Sequence, residues 1–185
     1  MVMQSRTLSG SLTLLAVVLS LGRIQVASAS DVAPSSVFVQ AGVGDQRTTA
    51  YVAGLLWDLP WHYDFTLGRL GAYAEAAVGR WHTNGREGST AWPTQISVTP
   101  TLRFYPSRAS HWFAEAGVGA NYIVPLFKSG HKRFSTEFNF GDQVAIGRDF
   151  GHSEVSLRFE HFSNAGISHP NPGENFGQVR YAYRF

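Results

Sequence analysis

The sequence predicts an all-β fold: an eight-stranded antiparallel transmembrane β-barrel of the outer-membrane type, preceded by a removable N-terminal signal peptide. After residue 29 no apolar run is long enough to cross a bilayer as a helix. Instead, segments of about ten residues recur, rich in aromatics, β-branched residues and glycine, and within them apolar and polar positions alternate. The chain also ends on an aromatic, Phe185, with Tyr183 and Tyr181 at the same parity, like the terminal strand that barrel-assembly machinery recognises.

The leader comes first. Arg6 supplies a positive start, Leu12 to Leu21 is an apolar stretch too short to span a membrane, and Ala27-Ser28-Ala29 is a small-residue cleavage site. Residues 1–29 are therefore read as signal peptide and residues 30–185 as a single barrel domain. The leader contains Arg6 and Arg23 and no acid, so thirteen Lys and Arg balance thirteen Asp and Glu in the remainder. Those basic residues are scattered and form no run or stripe, so nothing suggests a nucleic-acid partner and none is expected. The chain has no cysteine, so an exported fold must be held by its own ladder and core.

Strands are expected near 36–44, 48–57, 70–82, 94–105, 111–123, 136–147, 153–164 and 175–185. With both termini periplasmic, the links near 83–93, 124–135 and 165–174 are long and extracellular, whereas those near 106–110 and 148–152 are short. Asp58 to Arg69 breaks this alternation and reads as a longer periplasmic turn, with Trp57 and Trp61 as interfacial anchors. Parity then assigns faces. Ile96, Val98, Leu102 and Phe104 point outward against Gln95, Ser97, Thr99, Thr101 and Arg103; Trp112, Val118 and Tyr122 point outward against Glu115 and Asn121. Eight strands leave a lumen filled by side chains, so Glu75, Glu115, Arg103, Arg158 and Glu160 are expected to form an internal charge network.

No fold-independent motif competes. Gly42-Val43-Gly44 and Gly117-Val118-Gly119 lie inside strand patterns and lack the strand-to-helix setting of a phosphate loop. His62, His82, His111, His131, His152 and His169 have no metal-ligand spacing. No metal and no cofactor is expected.

One stretch remains, His161-Phe162-Ser163-Asn164-Ala165-Gly166-Ile167. On a strand, residues 155, 157, 159, 161 and 163 share a face, so His161 and Ser163 extend the apolar row Val155, Leu157, Phe159. Ser156, Arg158 and Glu160 take the lumenal face, because charge facing lipid is penalised. With Pro170-Asn171-Pro172-Gly173-Glu174-Asn175 after it, this stretch resembles the signature of the lipid A 3-O-deacylases of the PagL type, outer-membrane eight-stranded barrels that remove the ester-linked acyl chain at the 3-position of lipid A. The resemblance is dense over the last 25 or so residues and rests elsewhere on size, signal and strand pattern.

The resemblance implies His161 as catalytic base, Ser163 as nucleophile, Glu174 as the acid, and an oxyanion hole at Asn164 and Gly166. A serine hydroxyl needs a base to take its proton, and a carboxylate on the other imidazole nitrogen would fix the tautomer. Parity counted back from Val179 puts residue 174 on the lumenal side, but Pro170, Pro172 and Gly173 suggest a turn in which parity lapses, so Glu174 is expected to reach His161. The implied partners are lipid A, or lipopolysaccharide, and outer-membrane lipid; self-association is left open. Arg86, Lys128, Lys132 and Arg133 are candidates for contacts with lipid A phosphates. Two rival readings stay open: a non-enzymatic structural or adhesin barrel, and a lipid A acyltransferase, which would need an acyl-sized cavity inside the barrel.

Overall fold

A computed structural model describes residues 33–84 and 90–185; the expected signal peptide and Arg86 lie outside the described residues. Ala33–Phe185 forms one compact unit. Its eight long strands are β1 (Ser36–Gly44), β2 (Thr49–Phe65), β3 (Gly68–Asn84), β4 (Thr94–Tyr105), β5 (Trp112–Val124), β6 (Phe138–Asp149), β7 (Ser153–Ser163) and β8 (Glu174–Arg184). Each pairs antiparallel with its chain neighbours, and β1 also pairs with β8, so the sheet closes on itself. Closure removes the free edges that an exposed sheet would offer for aggregation.

The expected faces are the observed ones. Ile96, Val98 and Leu102 are exposed outward, while Gln95, Ser97, Thr99, Thr101 and Arg103 are buried. On β7, Leu157 is 61% exposed and its neighbour Arg158 is 3% exposed. The outer wall is thus a band of Val, Ile, Leu and aromatic side chains, a surface far too apolar for water.

Inside, charges interlock. Glu75 meets Arg158 and Arg180, Glu115 meets Arg103 and Arg158, and Glu154 meets Arg103 and Arg184. Arg103 grips Glu154 with two bonds of 2.8 Å, a fork geometry that favours specificity. Glu160 also faces inward but makes no ion pair among the described residues. The lumen is therefore packed with polar side chains.

At the end away from the termini, the lumen is capped by Trp81, Ile123, Phe127, Phe134, Phe162 and Phe176. Trp81 lies edge-on to Phe162, with ring centroids 4.8 Å apart, and tilted against Phe176 at the same distance. Burying each such ring is worth about 1.5–3 kcal/mol, so this cap fixes the ends of β7 and β8.

One expectation is corrected. Asp58 to Arg69 is more than a longer turn with some local order: β2 and β3 continue as a hairpin to Phe65 and Gly68, with a register shift between Asp58 and His62. That irregularity accommodates Pro60, which cannot donate to a ladder.

Candidate active site

His161 and Ser163 stand at the capped end of β7, half-exposed on the outward face, with Phe162 fully buried between them. The strict alternation of a strand produces this arrangement: driving Phe162 into the cap turns both neighbours outward. In the register, His161 faces Asn175 on β8 and Asp142 on β6.

The imidazole is anchored on one side. Nδ1 of His161 lies 2.7 Å from Oδ1 of Asn175, and Nδ2 of Asn175 donates to Oδ2 of Asp45 at 3.0 Å. Lys132 donates to the same Asp45 oxygen and, at 3.1 Å, to Oε2 of Glu174. Asp45 belongs to the short turn Asp45–Arg47 that joins β1 to β2, and Lys132 to a two-residue ladder, Lys128–Ser129 with Lys132–Arg133, in the link between β5 and β6. The Lys132 hydrogen bond holds the Asp45 carboxyl below its ordinary value. Burial works against the Lys132 charge, but its bonds to Asp45 and Glu174 outweigh that and hold the ammonium above its ordinary value. Lys132 is thus committed to two carboxylates of its own chain.

Gly173 provides room for the ring. A Cβ at this position would sit 2.7 Å from Cε1 of His161, and its φ of +63° is one that side chains disfavour. A glycine here satisfies both constraints.

Glu174 lies elsewhere than expected. Strand β8 starts at Glu174 itself, so parity holds through it and its side chain turns inward opposite Phe162, 0% exposed. The imidazole contact belongs instead to its neighbour Asn175.

Asn164 and Gly166 form the turn after Ser163. Oδ1 of Asn164 accepts from the Gly166 N–H at 2.9 Å, its Nδ2 donates to Ser135 and Ser168 at 2.9 Å each, and its own N–H donates to Asn171 at 3.1 Å. Ala165 takes a φ of +52°, uncommon for a residue with a Cβ. The expected oxyanion donors are therefore hydrogen-bonded within the turn, which they shape. Among the described residues no hydrogen bond joins His161 to Ser163.

Asn175, Asp45 and Asp142 are the residues that sequence reasoning misses. Asp142 is legible in principle, as a carboxylate in the outward row Phe138, Phe140, Val144, Ile146 of β6. Below the site a shallow apolar groove of about 530 Å³ runs down the outer wall, lined by Ala41, Val43, Tyr51, Leu157, Gly177 and Val179. Gly177, two residues from Asn175 and paired with Phe159, opens it.

The family model described as Lipid A 3-O-deacylase (PagL) matches residues 49–184. The chain is 34% identical over 154 residues to Lipid A deacylase PagL of Bordetella bronchiseptica, covering 80% of this chain and 83% of that protein. It is 31% identical over 163 residues to Lipid A deacylase PagL of Pseudomonas aeruginosa, covering 86% and 90%. Among solved structures, the crystal structure of the outer membrane enzyme PagL superposes with a TM-score of 0.72 at 27% identity, covering 81% of this chain and 99% of that one. An antiparallel eight-stranded barrel, a His-x-Ser pair turned outward at its capped rim and a match over nearly all of the described strands lead to one assignment: the chain belongs to the Lipid A 3-O-deacylase (PagL) family of hydrolases, and it is an outer-membrane β-barrel enzyme.

Proposed function

We propose that this chain hydrolyses the ester-linked acyl chain at the 3-position of lipid A, acting in the outer leaflet with Ser163 as nucleophile and His161 as its general base. The observation that carries the reading is directional. His161 and Ser163 continue the outward apolar row Val155, Leu157, Phe159 at the end opposite the termini. Polar catalytic-type side chains on that wall suit a substrate that itself lies in the membrane, and family membership supplies its class.

The apolar wall would span the membrane, with the rim at outer-leaflet height. Same-face neighbours on a strand lie about 7 Å apart at the backbone, so the imidazole leans along β7 to bring Nε2 to the Ser163 hydroxyl. Nε2 takes the hydroxyl proton as Oγ attacks the ester carbonyl. The imidazolium then returns the proton to the departing sugar oxygen, and water repeats the sequence on the acyl-enzyme. The oxyanion is received by the turn after Ser163, where the Gly166 N–H and the Asn164 amide exchange their present acceptors for it on substrate binding. Glu174 takes part at one remove, as a buried carboxyl that shares Lys132 with Asp45. The groove below Asn175 gives the acyl chain an apolar track. An acyltransferase would need its slot inside the barrel, where Arg103, Arg158 and Arg180 are locked to carboxylates.

The test is mass spectrometry of lipid A incubated with the refolded protein. The expected product has lost one hydroxyacyl chain, and Ser163→Ala and His161→Ala yield none while remaining folded, heat-modifiable barrels. Near-normal deacylation by either variant would overturn the assignment.

A further inference from the structure

We propose that Asn175, held by Asp45, is the positioning residue of His161 and decides which of its ring nitrogens carries the proton. The inference rests on the reading of Ser163 and His161 given above. It departs from a carboxylate on the imidazole, because here a neutral amide stands between ring and charge.

The argument is one of donors and acceptors. An ionised carboxylate has no hydrogen to give, so the 3.0 Å contact with Asp45 requires Asn175 to present its NH2 group there. That orientation turns Oδ1 towards His161. An amide oxygen can only accept, so the 2.7 Å contact requires a proton on Nδ1 of the imidazole. A neutral ring protonated on Nδ1 leaves Nε2 bare, and bare Nε2 is the base that the chemistry requires. Without the charge at position 45, Asn175 is free to flip and offer its NH2 to Nδ1. The ring would then carry its proton on Nε2 and could not accept one from Ser163.

The surroundings hold Asp45 to this task. Lys132, 19% exposed at its side chain, binds the Asp45 oxygen that Asn175 uses. The turn that aims Asp45 is a strained one, since Gln46 and Arg47 have φ of +52° and +62°. Barrel closure sets the distance: Gly44 pairs with Phe176, so Asp45 follows one member of the pair and Asn175 precedes the other. Glu174 cannot substitute, being turned inward and bound to Lys132.

Two measurements test the relay. The first reads the parent protein: nitrogen NMR of the His161 ring in the detergent-refolded protein, with His161→Gln used only to assign its signals, should show Nδ1 protonated and Nε2 bare in the neutral form. A proton on Nε2 would overturn the proposal. The second is kinetic, with lipid A as substrate. Asp45→Asn and Asn175→Ala should each lower kcat by about tenfold or more, with KM little changed. Combining Asn175→Asp with Asp45→Asn moves the charge one place towards the ring; the new carboxylate accepts from Nδ1–H and from the amide at position 45, whose oxygen accepts from Lys132. This swap should recover most of the activity lost in Asp45→Asn, which a merely structural contact would not do. A swap no better than Asp45→Asn alone, or full activity of Asp45→Asn and Asn175→Ala beside an inactive Ser163→Ala, would overturn the relay and leave the deacylase reading intact. Activity surviving in Ser163→Ala and His161→Ala would overturn both.

Discussion

Two polar networks occupy this barrel, one in the lumen and one at the rim, and they differ in how they end. In the lumen Glu75, Glu115 and Glu154 each meet two guanidinium groups, so the network closes on itself. At the rim the chain Lys132, Asp45, Asn175, His161 stops at an imidazole whose Nε2 makes no hydrogen bond among the described residues. Charges paired with one another hold a shape. A network with an open end has something left to offer a substrate, and the comparison predicts that damage to each will be read by a different instrument.

The largest effect belongs to the open end. Ser163→Ala and His161→Ala should each lower deacylation by about 10⁴-fold or more, and the double variant should be scarcely worse than either, because the pair works as a unit. Urea unfolding midpoints should stay close to that of the parent. Additive losses in the double variant would mean that the two side chains act independently and that the rim is not one device.

The lumen should respond in the opposite way. Arg158 binds both Glu75 and Glu115, and removing one partner of a buried pair costs about 3–5 kcal/mol. Arg158→Met should therefore lower the unfolding free energy by that amount in detergent, while turnover per folded molecule changes less than about twofold. A large loss of turnover at full stability would erase the distinction between the two networks.

These differences bear on what the sequence makes legible. Strand positions and faces follow from a period of two, which is local, and so does the outward setting of His161 and Ser163 beside Leu157. The bulged hairpin of β2 and β3 is not legible, because Pro60 reads as a break and the ladder that absorbs it is supplied by β3. The anchor of Asn175 is not legible either. Asp45 and Asn175 are 130 residues apart and meet only through barrel closure. Glu174 is instructive: parity alone places it inside, and the run Pro170 to Gly173 argues for suspending parity, yet the ladder of β8 already includes Glu174, so the period holds.

Gly173 sharpens the comparison at lower amplitude. Gly173→Ala adds a Cβ 2.7 Å from Cε1 of His161 on a backbone with φ of +63°, so the ring must shift. Displacing a catalytic group by about 1 Å can cost about 10²-fold, and a loss of that order is expected with the lumenal network untouched. Unchanged activity would mean that the imidazole tolerates rearrangement and that its present orientation is not selected by the rim.

The smallest expected effect is a pH dependence at Asp45. Its folded carboxyl titrates below the ordinary 3.8 because Lys132 hydrogen-bonds the ionised form. A depressed acid contributes stability that is present above the unfolded value and is lost as pH falls through the folded one. Lys132, held above 10.5, stays charged throughout this range. The parent should thus exceed Asp45→Asn in unfolding free energy at about pH 5, and the excess should shrink below about pH 4. Because the Asp45 side chain is 38% exposed, solvent screening limits the excess to about 1 kcal/mol or less. Urea titrations of both proteins across acid pH would measure it. An excess that grows towards low pH would reverse the sign and mean that Asp45 is held protonated, in which state its hydroxyl could donate to Asn175 and the rim would no longer fix the amide.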